Sequence, residues 1–187
     1  MDEKEALRTS LRQKRRALPA HQRDVWSQRI CHHLEAWLDQ REVDRVFAYR
    51  SFRDEVSINR LVDRISLRYV VGLPVAYENR QMVFYRYQEG DELLRSPWGI
   101  EEPKKRQQPL AVTEQSVILV PALAISEAGQ RLGYGGGYYD SFLGKLPFGS
   151  KVGLIYGCFW GHPLPSEPHD VPVDFVCHEE GIQTIGR

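Results

Sequence analysis

The sequence predicts an α/β domain in which a mostly parallel sheet lies between helical layers. Three observations carry this. Short apolar runs alternate along the chain with segments of helical periodicity. The strongest run, Val117–Ile125, opens directly into a glycine-rich loop and then a helix, the order in which α/β sheets present ligands at strand C-terminal ends. With 187 residues, 42% of them hydrophobic, the chain can bury a core in one domain spanning residues 1–187.

The elements follow from local signals. Asp2-Glu3-Lys4-Glu5 reads as an N-cap and acidic first turn, and Pro19 stops the helix near Leu18. Leu7, Leu11 and Leu18 form a thin apolar stripe, with Lys4, Arg8, Arg12 and Arg15 along a basic face. A second helix over His21–Asp39 buries Trp26, Ile30, Leu34, Trp37 and Leu38. Val43–Tyr49 is a strand, and Ser57 caps a short helix carrying Ile58, Leu61, Val62 and Ile65. Tyr69–Val75 is a buried strand, Glu78-Asn79-Arg80 a turn, and Met82–Tyr87 its antiparallel partner. Residues 90–109, with Pro97, Pro103 and Pro109, read as one long irregular loop. After Val117–Ile125 and the glycine loop come a helix over Tyr138–Leu146 and a strand over Lys151–Tyr156. A four-proline loop, a strand over Val173–Cys177 and a last one at Gln183–Ile185 complete the chain.

The most informative stretch is Arg131-Leu132-Gly133-Tyr134-Gly135-Gly136-Gly137-Tyr138-Tyr139-Asp140, in which four of ten residues are glycine. Glycine lets backbone N–H groups approach a ligand, and a run of them ahead of a helix cradles an anion such as phosphate. Arg131 supplies a counter-charge and Asp140 a candidate magnesium ligand. The loop is not a P-loop, since no Gly-Lys-Ser/Thr follows, and it breaks the dinucleotide pattern at Tyr138.

Composition excludes several classes. Formal net charge is zero, which gives no bulk electrostatic case for nucleic acid. No apolar run reaches transmembrane length and no signal pattern opens the chain, so no membrane partner is expected. Cys31, Cys158 and Cys177 are odd in number and far apart, which reads as free buried thiols in a reducing, cytoplasmic setting. The six histidines lack metal-ligand spacing, and no Ser/His/Asp or Cys-His order stands out.

The segment Leu132-Gly133-Tyr134-Gly135-Gly136-Gly137-Tyr138-Tyr139-Asp140 resembles the signature of the 5-formyltetrahydrofolate cyclo-ligase (5,10-methenyltetrahydrofolate synthetase) family. The likeness extends to Lys4 and Arg8, to Asp54-Glu55-Val56, to Gly99-Ile100-Glu101-Glu102-Pro103 and to Pro172-Val173-Asp174. Some members carry Arg and Lys where this chain has Tyr134 and Gly136, and many have Arg at Ser141, so this loop is less positive. The resemblance implies a three-layer Rossmann-like fold, akin to sugar-phosphate isomerases and CoA transferases. It implies ATP as co-substrate, Mg2+ as cofactor, and 5-formyltetrahydrofolate, in cells often polyglutamylated, as substrate.

The resemblance also assigns roles. Lys4, Arg8, Arg131 and the loop from Leu132 through Tyr139 are expected at ATP. Glu55 is expected at the folate, and Asp140 and Asp174 at magnesium. On position alone Asp140 also suits an N-cap, and Glu55 a surface charge. Phe52, Trp98 and Tyr138 are aromatic faces for a pterin, with Tyr134, Gly135, Gly136 and Gly137 beside it. Tyr138 or Tyr139 is expected near the formyl group. Arg12, Arg15 and Arg16 read as a solvated face, and Lys104, Lys105 and Arg106 as cations for a polyglutamate tail. No catalytic acid or base emerges, and a monomer is expected. The alternative is a non-catalytic phosphate- or sugar-phosphate-binding module, which does not need the Asp140 and Asp174 pair. An RNA-binding role for the basic helix is weaker still.

Overall fold

The computed structural model describes residues 3–186. Helix α1 (Glu3–Ala17) has acidic residues in its first turn and basic ones in its last, matching the helix dipole. The proposed N-cap Asp2 lies outside the described residues. Pro19 then opens α2 (Ala20–Asp39), whose Ile30, Leu34, Trp37 and Leu38 are buried at helical spacing.

Strand β1 (Arg45–Phe47), helix α3 (Asn59–Ile65), strand β2 (Val70–Ala76) and strand β3 (Met82–Tyr87) follow. Ser57 does not cap α3. Ile58 holds that position without a side-chain cap, and the Ser57 N–H is taken by the Ser27 hydroxyl instead. The expected loop over 90–109 contains a hairpin, β4 (Leu93–Arg95) and β5 (Glu101–Pro103). Its strands are too short for an alternation pattern to show in sequence.

The Val117–Ile125 run is not one strand. It divides into β6 (Ser116–Pro121) and β7 (Ala124–Ile125), and β7 turns away to pair with β8 (Arg131–Leu132). Helix α4 (Tyr138–Leu143) ends three residues early, at Gly144. Strands β9 (Ser150–Leu154), β10 (Phe175–His178) and β11 (Gly181–Thr184) complete the chain.

Seven strands form the central sheet in the order β11-β10-β9-β6-β1-β2-β3. The inner strands from β10 to β2 run parallel, and β3 and β11 close the two edges antiparallel. Successive side chains alternate between two cores. Val46, Leu119 and Val152 pack with Leu11 of α1, Ile30 and Leu34 of α2, and Leu61 and Val62 of α3. Phe47, Ile118 and Val120 face the other way, toward Phe142 and Leu143 of α4, and toward Leu110, Val112 and Val173. The second face is therefore covered by one short helix and loops rather than by a full helical layer.

From β1 the chain builds toward β2 and β3, and from β6 it builds the other way. The switch point of the topology lies between β1 and β6, where open α/β sheets leave a crevice at the strand C-terminal ends. Packing here is tight. A Cβ on Gly153 of β9 would collide with the Ile125 side chain. Gly153→Ala is expected to lower the thermal midpoint, at a cost of about 1–3 kcal/mol of stability. Thermal denaturation monitored by circular dichroism checks this, and an unchanged midpoint would mean that Ile125 has room to move.

Candidate active site

The crevice at the switch point is a cavity of about 640 Å³. Segments following β1 supply Tyr49, Phe52, Asp54 and Glu55, and the ends of β2 and β6 supply Ala76 and Pro121. The glycine loop forms one wall and α1 another. Lys4, Arg8, Phe52, Glu55, Trp98, Arg131 and every residue from Leu132 to Asp140 line it. The fold thus gathers every residue expected at ATP, the folate ring or magnesium except Asp174.

The glycine loop is shaped by backbone that side chains rarely adopt. Gly135 and Gly137 have φ of +100° and +69°. Helix α1 clamps the loop from behind. Arg8 Nε donates to the Gly133 carbonyl at 3.2 Å, and Arg12 Nη2 to the Tyr134 carbonyl at 2.6 Å. Arg15 corrects the sequence expectation of a solvated face, because it is fully buried. Its Nη2 donates to the Ala122 and Leu123 carbonyls at 2.6 and 2.9 Å, and its Nη1 to the Tyr134 hydroxyl at 3.1 Å. It therefore ties α1 to the break between β6 and β7 and to the loop at once. Helical spacing puts Arg15 on the same side as Lys4 and Arg8, but charge alone reads as exposure and concealed this role.

Arg131 is buried with Nη2 2.8 Å from Asp140 Oδ1, and its guanidinium lies 5.7 Å from the centre of the Tyr139 ring. The Tyr139 hydroxyl is buried and has no hydrogen-bond partner among the described residues. Burial, followed by the nearby Glu55 charge, pushes its pKa far up, so it remains a donor. Tyr138 is turned instead toward Trp98, with ring centres 6.5 Å apart in an edge-on arrangement. Trp98 is exposed at the rim.

Two adjacent carboxylates face this wall. Glu55 Oε2 accepts the Phe52 N–H at 2.9 Å. Burial raises its pKa to about 7, against the pull of that N–H and of Arg15. Asp54 is buried with Oδ2 unpartnered among the described residues.

Asp174 is the residue the fold leaves out. It immediately precedes β10 and so lies at the N-terminal edge of the parallel strands, away from the cavity. There it accepts the Lys151 N–H at 2.8 Å and pairs with Lys151 Nζ at 2.9 Å. Asp170 is at the cavity instead. Its Oδ2 meets Lys4 Nζ and the Glu167 N–H, each at 2.7 Å, and the next residue, Val171, donates its N–H to Asp140 Oδ1 at 3.4 Å. Burial opposes ionisation of Asp170, but Lys4 and the Glu167 N–H outweigh it and hold the pKa low. The signal for Asp170 was positional. It lies in the proline loop, whereas a residue directly ahead of a parallel strand sits at the wrong end.

Lys104 and Lys105 pair with Glu92 and Asp91, and Arg106 with Glu102; none of the three cations lines the cavity. Cys158 is exposed rather than buried, and all three cysteines are free. Among the described residues, no helix is long and apolar enough to cross a membrane.

The model of the 5-formyltetrahydrofolate cyclo-ligase family matches residues 1–179. The chain belongs to that family. It is 32% identical over 176 residues to the 5-formyltetrahydrofolate cyclo-ligase of Haemophilus influenzae, covering 91% of this chain and 94% of that one. To the Escherichia coli K12 cyclo-ligase it is 29% identical, covering 89% and 94%. Its fold resembles the NMR structure of Aquifex aeolicus 5,10-methenyltetrahydrofolate synthetase, with a TM-score of 0.82, 26% identity, and coverage of 98% and 94%. The corresponding Mycoplasma pneumoniae protein shares the fold at a TM-score of 0.76 and 22% identity, over 95% of this chain and 99% of that one.

The raised pKa of Glu55 means that folding favours its protonated form. That contribution is complete below the ordinary value of 4.5 and is lost as pH rises through about 7. The stability difference between Glu55→Gln and the parent should therefore shift in the variant's favour between pH 4 and pH 8, by about 2–3 kcal/mol. Denaturant titrations at the two pH values check this, and a difference independent of pH would exclude a shifted carboxyl.

Proposed function

We propose that this protein is a 5-formyltetrahydrofolate cyclo-ligase, converting 5-formyltetrahydrofolate and ATP to 5,10-methenyltetrahydrofolate, ADP and phosphate. The observation that carries the reading is the switch-point cavity, lined on one side by the glycine loop and the α1 cations and on another by carboxylates and aromatic faces. A formyl amide is a poor electrophile, and its oxygen is a poor leaving group. Moving the γ-phosphoryl group onto that oxygen gives an iminium phosphate. N10 then attacks the formyl carbon and gives up its proton to solvent, and phosphate departs with the oxygen. Such a sequence calls for positioning and charge stabilisation more than for a nucleophilic side chain.

In this reading the loop N–H groups, Arg8 and Arg131 receive the polyphosphate, with Lys4 holding the facing carboxylates. Glu55 and Asp54 accept the N–H donors of the pterin, and Phe52 and Trp98 border its ring. The unpartnered Tyr139 hydroxyl, rather than Tyr138, is the phenol for the reacting oxygen. A divalent ion fits Asp140 and Asp170, two oxygen donors joined through Val171. Magnesium held there would neutralise phosphate charge; Asp174 is no longer in the set. Arg53, exposed at the cavity edge, is the cation available to a glutamate tail. We read the chain as one cytoplasmic domain acting as a monomer, of the sugar-phosphate isomerase and CoA transferase kind.

The test is to mix protein, 5-formyltetrahydrofolate, ATP and magnesium and follow the near-ultraviolet absorbance of the methenyl product. Product should require both ATP and magnesium. Asp140→Ala and Asp170→Ala should each reduce kcat/KM by about a hundredfold or more, while Asp174→Ala stays within a few-fold of the parent. ATP binding without any product would leave the phosphate-binding module as the account.

A further inference from the structure

The cations that line the cavity are mostly engaged. Lys4 holds Glu167 and Asp170, Arg8 holds Glu5 and the Gly133 carbonyl, Arg131 holds Asp140, and Arg50 holds Asp63 and Glu101. Arg16, Arg53 and Arg80 also line the cavity, and among the described residues none of their guanidiniums has an ion pair or a hydrogen-bond partner; Arg80 is the one of the three laid against Gly137 of the glycine loop. It belongs to the tight turn between β2 and β3, far in sequence from the glycine loop.

Two details place it. Asn79 and Arg80 both have left-handed backbone, with φ of 59° and 58°. Neither is glycine, so the turn bears a conformational cost that the surrounding strands must offset. This turn lays the Arg80 side chain along Gly137. A Cβ on Gly137 would stand 3.3 Å from Arg80 Cδ, 3.4 Å from Nη1 and 3.5 Å from Nε. Gly137 thus leaves the space that the guanidinium fills. A planar, permanently charged group with five N–H donors therefore lies on the loop read above as the phosphate cradle, with no acceptor among the described residues to satisfy it.

We infer that Arg80 is a further nucleotide-binding residue, whose guanidinium completes the cradle by donating to the phosphate oxygens of ATP over Gly137. The inference rests on the ATP-binding reading under Proposed function. It explains how a loop with no basic residue between Leu132 and Tyr139 meets a polyanion: the charge comes from the neighbouring turn. Free arginine donors are also the group that planar phosphate recognition favours over lysine.

The test compares the full-length parent with Arg80→Gly and Arg80→Lys, using Arg68→Ala as a control cation that pairs with Glu35 and Asp39 away from the cavity. Affinities for ATP, ADP and 5-formyltetrahydrofolate are measured separately by calorimetry, together with thermal midpoints. Arg80→Gly relaxes the left-handed backbone, so its midpoint should hold or rise while ATP and ADP affinity falls about tenfold to a hundredfold. Arg80→Lys, with the charge but not the fork, should fall between them, and folate affinity should not change. Nucleotide affinity in Arg80→Gly equal to the parent's would overturn the inference, as would a loss confined to folate. If the parent itself binds no ATP, the cyclo-ligase reading falls with it; if the parent binds and the variant matches it, only the role of Arg80 falls.

Discussion

The site depends on the seam between α1 and the second half of the chain, with Arg15 at its centre. A buried guanidinium is costly unless its donors are met, and here two main-chain carbonyls and a phenol meet both Nη groups, leaving only Nε without a partner among the described residues. Those carbonyls, of Ala122 and Leu123, sit where β6 gives way to β7. A continuous strand would have spent them on sheet partners. The break in the strand and the buried arginine therefore explain each other. Arg8 and Arg12 continue the seam outward along the glycine loop. A loop with four glycines has little stiffness of its own, and α1 supplies it.

Much of this was legible in the chain. The alternation of apolar runs and helical periodicity fixes the element order. Glycines at 133, 135, 136 and 137 announce a loop, and that loop lines the cavity. What escaped was whatever depends on contacts between distant segments. Arg15 is chemically the same as its neighbours Arg12 and Arg16, and only the packing of α1 against residues 122–134 distinguishes them. Ser57 loses its capping role because α3 begins one residue later, with Ile58 at the N-cap, while the Ser57 N–H is held by Ser27, thirty residues earlier. The hairpin β4–β5 is held by three-residue strands, below the length at which periodicity can be read.

Asp170 and Asp174 show the same limit in the site. Both are aspartates near the same strand, and family likeness drew attention to the motif Pro172-Val173-Asp174. The direction of β10 separates them: one residue sits before the strand at its N-terminal edge, and the other in the loop that crosses back to the cavity. Strand direction is a property of the sheet, and no local pattern encodes it. The neutral overall charge also hid a local imbalance. Cations converge from α1, from the β2–β3 turn and from β8, while Asp54, Glu55, Asp140 and Asp170 oppose them within the same cavity.

Lys4 reaches across 163 and 166 residues to Glu167 and Asp170. During synthesis the first helix thus emerges long before the groups it must hold. The cavity closes only once the chain through Asp170 has left the ribosome, and native pairings of such sequence separation form late and slowly. Until then α1 is a basic, amphipathic segment without its counterpart. Closure of the cavity therefore waits on the segment that carries Glu167 and Asp170, however early α1 forms.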